Sequence, residues 1–146
     1  MLRSTRKSMG SNDYFLDANV ILRYLIKDNF PYYKKATNIF KQISDHKVRA
    51  FITTLVLHEV SYVMKSVYSV EIKVISRKLK RLLRLENLNV LDLPKDYVIK
   101  ALVEFGKTKI DFPDCVYKQI VLENDMKLLS FDEEFKKIKM ERFEEV

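Results

Sequence analysis

Hydrophobic residues follow two rhythms along this chain, and their alternation predicts the architecture. Short, largely apolar runs occur near residues 13–16, 48–52, 89–93 and 126–130. Runs of this length between turn-forming residues predict strands. Between them, apolar positions recur every three or four residues: Ala36, Ile39, Phe40 and Ile43; Val56, Val60, Val63 and Val67; Ile72, Ile75, Leu79, Leu82 and Leu83; Val98, Ala101, Leu102 and Phe105. That spacing lines one face of an α-helix. The first strand ends on Asp17, and a short helix follows it to about Lys27, where Asn29-Phe30-Pro31 breaks the chain. Thr53 and Thr54 offer N-caps, Pro94 opens a fifth helix, and Gly106 offers that helix a C′ stop before a Lys107-Thr108-Lys109 loop. Asp111 and Pro113 suit the cap and first turn of a sixth helix. Asp132 begins a short terminal helix, and the tail after Lys139 adds an edge strand.

The predicted order is βααβααβααβα. It implies an α/β fold, a three-layer α/β/α sandwich with a central, mainly parallel sheet. The apolar strands imply a sheet buried on both faces. The chain is predicted to be one domain, residues 13–146, behind a flexible basic tail at 1–12.

Composition narrows the class. With 146 residues, 47% of them hydrophobic, the chain can bury a real core. The longest stretch without a formal charge is nine residues, Ala50 to His58, too short to span a bilayer; a cytoplasmic protein is expected. A single cysteine, Cys115, excludes an internal disulfide and a cysteine-based zinc site. The glycines, Gly10 and Gly106, cannot build a glycine-rich phosphate loop.

The net charge of +7 favours an anionic partner, with nucleic acid the usual candidate. Between Ile72 and Leu85 there are six bases and no acid. Of these Lys73, Arg77, Lys80, Arg81 and Arg84 share a helix face, which is either a solvated surface or a phosphate-binding one.

Three acids occupy places where α/β folds put their chemistry. Asp17 ends strand one, Glu59 lies about one turn into the helix after strand two, and Asp132 follows strand four. In a parallel sheet all three project from one carboxyl edge. Asp114, in the first turn of the sixth helix, is not placed there by any strand. Converging carboxylates repel unless a cation sits among them, and a site of carboxylates without His or Cys suits Mg²⁺ rather than zinc. His46 and His58 stand apart from this set. Carboxylate-held Mg²⁺ cleaves phosphodiesters through an activated water and needs no protein nucleophile. A covalent aspartyl-phosphate chemistry at Asp17 fits less well, because the run is Asp-x-Asn and no suitable lysine motif accompanies it.

Four segments then resemble the motifs of a PIN domain: Leu16-Asp17-Ala18-Asn19-Val20-Ile21-Leu22, Thr54-Leu55-Val56-Leu57-His58-Glu59-Val60, Asp111-Phe112-Pro113-Asp114, and Leu129-Ser130-Phe131-Asp132-Glu133-Glu134-Phe135. The nearest subgroup is that of VapC-type toxin ribonucleases. The resemblance spans about residues 13 to 140. It implies a Mg²⁺- or Mn²⁺-dependent endoribonuclease with Asp17, Glu59, Asp114 and Asp132 as metal-coordinating acids. Asn19, Ser130 and Asp111 stand beside them. It also implies an RNA substrate, a homodimer and a small antitoxin protein that blocks the site. Lys73, Arg77, Lys80, Arg81, Lys107 and Lys109 are the candidates for holding the RNA backbone. The helix after Asp114, Cys115-Val116-Tyr117-Lys118-Gln119-Ile120, lacks the family's usual small residues. The alternatives are an RNA-processing PIN protein that is not a toxin, and a non-catalytic nucleic-acid-binding module.

Overall fold

The computed structural model describes residues 12–108, 110–133, 135 and 143–145. The predicted tail at 1–12 lies outside this range except for Asn12, as does Lys109 and most of the terminal helix expected after Asp132.

The chain runs β1 (Asp13–Phe15), α1 (Ala18–Leu25), α2 (Phe30–Ser44), β2 (Arg49–Ile52), α3 (Thr54–Ser66), α4 (Ile72–Leu83), β3 (Leu88–Val90), α5 (Lys95–Thr108), α6 (Phe112–Glu123), β4 (Leu128–Ser130) and β5 (Phe143–Glu145). The helix starts follow local chemistry. Asp17 Oδ1 accepts from the Val20 N–H at 3.1 Å and Asn29 Oδ1 from the Tyr32 N–H at 3.2 Å. Each satisfies an amide that the first turn leaves open. Asn29-Phe30-Pro31 is therefore the start of α2 as well as the end of the preceding segment, with Pro31 in the first turn where its missing N–H costs nothing.

Strands β1, β2 and β3 form a parallel sheet in that order, with Asp13 opposite Arg49 and Ala50 opposite Leu88. Helices flank it, which is the α/β architecture expected. Arg49 forks onto Asp13 across the first pair, Nε to Oδ1 at 2.8 Å and Nη2 to Oδ2 at 2.6 Å. Ile52 of β2 and the helical Ile21, Leu57, Met64, Ile75, Leu79, Leu102 and Phe112 are fully buried in one continuous core. Each such side chain contributes about 1.5–3 kcal/mol through lost apolar exposure.

Two expectations change, that of a sheet buried on both faces and that of one central sheet. The sheet is not covered on both faces at β1: Tyr14 and Phe15 are 50% and 58% exposed. Among the described residues the central strand of the three is β2, and Asp17 leaves β1 at the edge. Among the described residues β4 pairs in parallel with β5 in a two-stranded sheet separate from β1–β2–β3, where one central sheet was expected. The edge strand expected at the C-terminus is β5.

Gly106 also has a different role. It lies inside α5, which continues through Lys107 and Thr108, so these two are helical and not loop. Its missing side chain admits α4: a Cβ there would stand 2.7 Å from Ser76 Oγ and 2.9 Å from Ser76 Cβ. Ser76 is buried, and its hydroxyl donates to the Leu102 carbonyl at 2.6 Å.

Candidate active site

Asp17 is placed by the meeting of strand and helix. The Leu16 N–H donates to Phe51 O at 2.9 Å, which extends the β1 ladder to the residue before it. Asp17 keeps an extended backbone, and α1 begins at the next residue. The carboxylate is exposed and sits at the positive end of the helix dipole. Oδ1 is engaged by Val20, and Oδ2 has no hydrogen bond among the described residues. Its capping role and an outward-facing oxygen are thus compatible. Asn19, exposed on the first turn of α1, lines the same groove of about 480 Å³.

The other candidates lie on separate elements. Glu59 is exposed in the second turn of α3. Asp114 is half-buried in the first turn of α6, its N–H donating to Asp111 O at 3.1 Å. Asp111 is the N-cap residue of α6 by backbone only; its side chain makes no cap bond and instead lies 3.8 Å from Lys65 Nζ on α3. Asp132 follows β4 and is exposed, and its N–H donates to Ser130 Oγ at 2.9 Å. Ser130 therefore shapes the turn that presents Asp132.

Of these residues the structure brings Asp17 and Asn19 to one groove. No group of three or more His, Cys, Asp or Glu side chains comes close enough to hold one ion among the described residues. The donor chemistry, carboxylate and amide oxygens, is that of a hard dication. Asp17 follows a strand of the β1–β2–β3 sheet, and Asp132 follows β4, which among the described residues pairs with β5 in a separate ladder.

One carboxylate at the sheet edge escaped the sequence reading. Asp92 follows β3 just as Asp17 follows β1, in a Leu-Asp-Leu that carries the same signal as Leu16-Asp17. It accepts from the Thr54 N–H at 3.0 Å and from the Thr54 hydroxyl, so it closes the start of α3.

The cations of α4 do not form one face. Lys73 and Lys80 line a groove of about 390 Å³ with Lys107 of α5. Arg81 turns the other way, into a groove of about 410 Å³ with Lys78, Lys27, Tyr24 and Tyr33. Arg77 is exposed. A step of 100° per residue spreads a run of bases around whatever part of the helix the core does not cover. A second basic surface, Arg23, Lys35 and Tyr32 beside Asp17, was also missed. Its signal was five bases against one acid in residues 18–44.

His58 lines the groove between α3 and α6 with Leu55, Phe112, Pro113 and Tyr117. Its Nδ1 is buried without a hydrogen bond among the described residues. Burial pushes the Cys115 thiol up to about 12, so it is no nucleophile at neutral pH.

Comparison with known proteins adds the family. No curated protein matches the chain. Among solved structures, it is similar to a chain of the complex described as "VapBC2 from Rickettsia felis bound to a DNA fragment from their promoter", with 20% identity and a TM-score of 0.39. The match covers 91% of this chain and 98% of that one. The PIN domain family matches residues 14–140, from β1 past β4. The chain belongs to the PIN domain family.

Proposed function

We propose that this protein is a metal-dependent endoribonuclease that hydrolyses RNA phosphodiester bonds, and that it is the VapC-type toxin of a toxin–antitoxin pair. The observation that carries the reading is the PIN family match over residues 14–140 with Asp17 exposed at the carboxyl end of β1. From the family resemblance, Asp17, Glu59, Asp114 and Asp132 are assigned as the acids that would hold Mg²⁺ or Mn²⁺, and their described side chains would have to draw together around the ion. Asn19, Ser130 and Asp111 are assigned as their supports. When bound, the ion supplies an activated water and neutralises charge on the phosphate. The chain's own part is to fix these acids: α1 aims Asp17 through its cap, and the Ser130 hydroxyl holds the turn at Asp132.

The RNA backbone is assigned to Lys73, Lys80 and Lys107 in one groove, with Arg77 and Arg81 on neighbouring faces and Lys109 outside the described residues. Such contacts give affinity and little sequence preference. A homodimer is supported by the face of α3 and α6, where Leu55, Tyr62 and Tyr117 are 72%, 61% and 49% exposed. A small antitoxin protein is the second partner. No described helix is long and apolar enough to cross a membrane, and a cytoplasmic setting is part of the proposal.

The test is cleavage of a structured RNA panel with Mg²⁺ or Mn²⁺, with and without chelator, by wild type and Asp17→Asn. Cutting that needs the metal and is lost in Asp17→Asn supports the reading. Equal cutting by both proteins sinks it. Expression of the chain alone, with and without a co-expressed small partner, tests the toxin assignment through growth arrest and its relief.

A further inference from the structure

The groove that starts at Asp17 continues over α1 and α2 into groups that the nuclease assignment does not use. Tyr32 stands 54% exposed on its wall. The Arg23 guanidinium lies 5.3 Å from the Tyr32 ring centroid and the Lys35 ammonium 5.6 Å from it. Arg23 is already oriented, because its Nη1 donates to Asp28 Oδ1 at 3.1 Å while the Tyr68 hydroxyl holds the other oxygen of that carboxylate at 2.8 Å. Lys35 is exposed and has no carboxylate within ion-pair distance among the described residues. Its flexible stem can leave the ring at little cost.

An exposed ring flanked by two cations matches the needs of an unpaired nucleic-acid strand. Bases stack on the ring and phosphates meet the cations, whereas a duplex hides its base faces. The groove also leads to Asp17, an acid proposed to hold the metal ion. We infer that it holds a single-stranded segment of the RNA substrate, with one base on Tyr32 and the neighbouring phosphates at Arg23 and Lys35. The inference rests on the nuclease reading for its substrate, but its binding chemistry is separable.

The experiment measures fluorescence anisotropy of labelled single-stranded RNA on the full chain, in chelator so that no cutting intervenes. Cleavage with Mg²⁺ or Mn²⁺ is scored in parallel. Tyr32→Phe should bind as wild type, and Tyr32→Ala should bind roughly 10-fold more weakly. Arg23→Gln combined with Lys35→Gln should flatten the slope of log affinity against log salt by about 1.4, two phosphate contacts on a single strand. Circular dichroism checks that each variant is folded, and Lys35→Gln alone serves if the double variant is not. Full affinity in Tyr32→Ala overturns the inference. So does duplex RNA that binds as tightly with the same sensitivity to Tyr32. An acidic peptide that depends on Tyr32 while RNA does not would likewise overturn it. Tyr32-dependent binding without any metal-dependent cutting leaves the groove standing and sinks the nuclease reading; cutting without Tyr32 dependence does the reverse.

Discussion

Gly106 leaves no room for a side chain beside Ser76: a Cβ at position 106 would stand 2.7 Å from the Ser76 hydroxyl oxygen. That oxygen cannot swing aside freely, since it donates to the Leu102 carbonyl inside the α4–α5 contact. Gly106→Ala sets two effects against each other. Alanine favours the helix by about 1 kcal/mol over glycine, and overpacking a buried contact costs about 1–3 kcal/mol. The steric term wins, and urea unfolding should show a net loss of up to about 2 kcal/mol. Ser76→Gly in the same chain should recover part of it, which a double-mutant cycle measures.

Asp17 caps α1 and is also the proposed first ligand, and the two roles separate by substitution. Asn caps as well as Asp does, so Asp17→Asn should unfold within about 0.5 kcal/mol of wild type. Asp17→Ala loses the bond to the Val20 amide and should cost about 1 kcal/mol. RNA cleavage should fall roughly 100-fold or more in both. An Asp17→Asn protein that is destabilised as much as Asp17→Ala would show that charge, and not the cap bond, holds this turn.

Asp92 ties the end of β3 to the start of α3 through the amide and hydroxyl of Thr54. Asp92→Ala removes both bonds and should cost about 1–2 kcal/mol, read as a lower urea midpoint at constant slope. Asp92→Asn keeps an acceptor and should cost less.

The pair Asp28–Tyr68 predicts a pH window. The Tyr68 hydroxyl, with Arg23 assisting, holds the Asp28 carboxyl below its ordinary value of about 3.8. The same hydrogen bond holds the Tyr68 phenol above its ordinary value of about 10.0. For Asp28 the stabilisation is present above the ordinary value and is lost as pH falls through the lower, folded one. For Tyr68 it is present below the ordinary value and is lost as pH rises through the higher, folded one. Tyr68→Phe should therefore be less stable than wild type near neutrality, with the difference shrinking at both extremes. An NMR titration should show the Asp28 carboxyl moving upward in the variant.

The order of elements was legible because each helix carries its own apolar stripe and each strand its own run, signals contained within a few turns of chain. Gly106 was misread because a glycine near a polar triplet looks like a helix stop, and nothing local announces that α4 will press against it. The lateral order of strands was equally hidden: β1 reads as a buried strand from its aromatics, yet pairing places it at the edge with Tyr14 and Phe15 exposed. Asp17 was legible because strand, acid and helix are contiguous. Asp92 carried the same local sign and went unweighed. The basic run of α4 was legible as charge but not as geometry, since only packing decides which groove each base enters.

The parallel register has a consequence for how the protein comes into being. Asp13 and Arg49, opposite one another in β1 and β2, are 36 residues apart in the chain. No hairpin brings such strands together; the connection between them is a crossover that carries α1 and α2. Folding that depends on contacts this distant is slow, because loop-closure entropy is spent before pairing returns it. Asp17, one residue beyond the Leu16 amide that bonds Phe51, is fixed at the sheet edge only when that distant pairing closes.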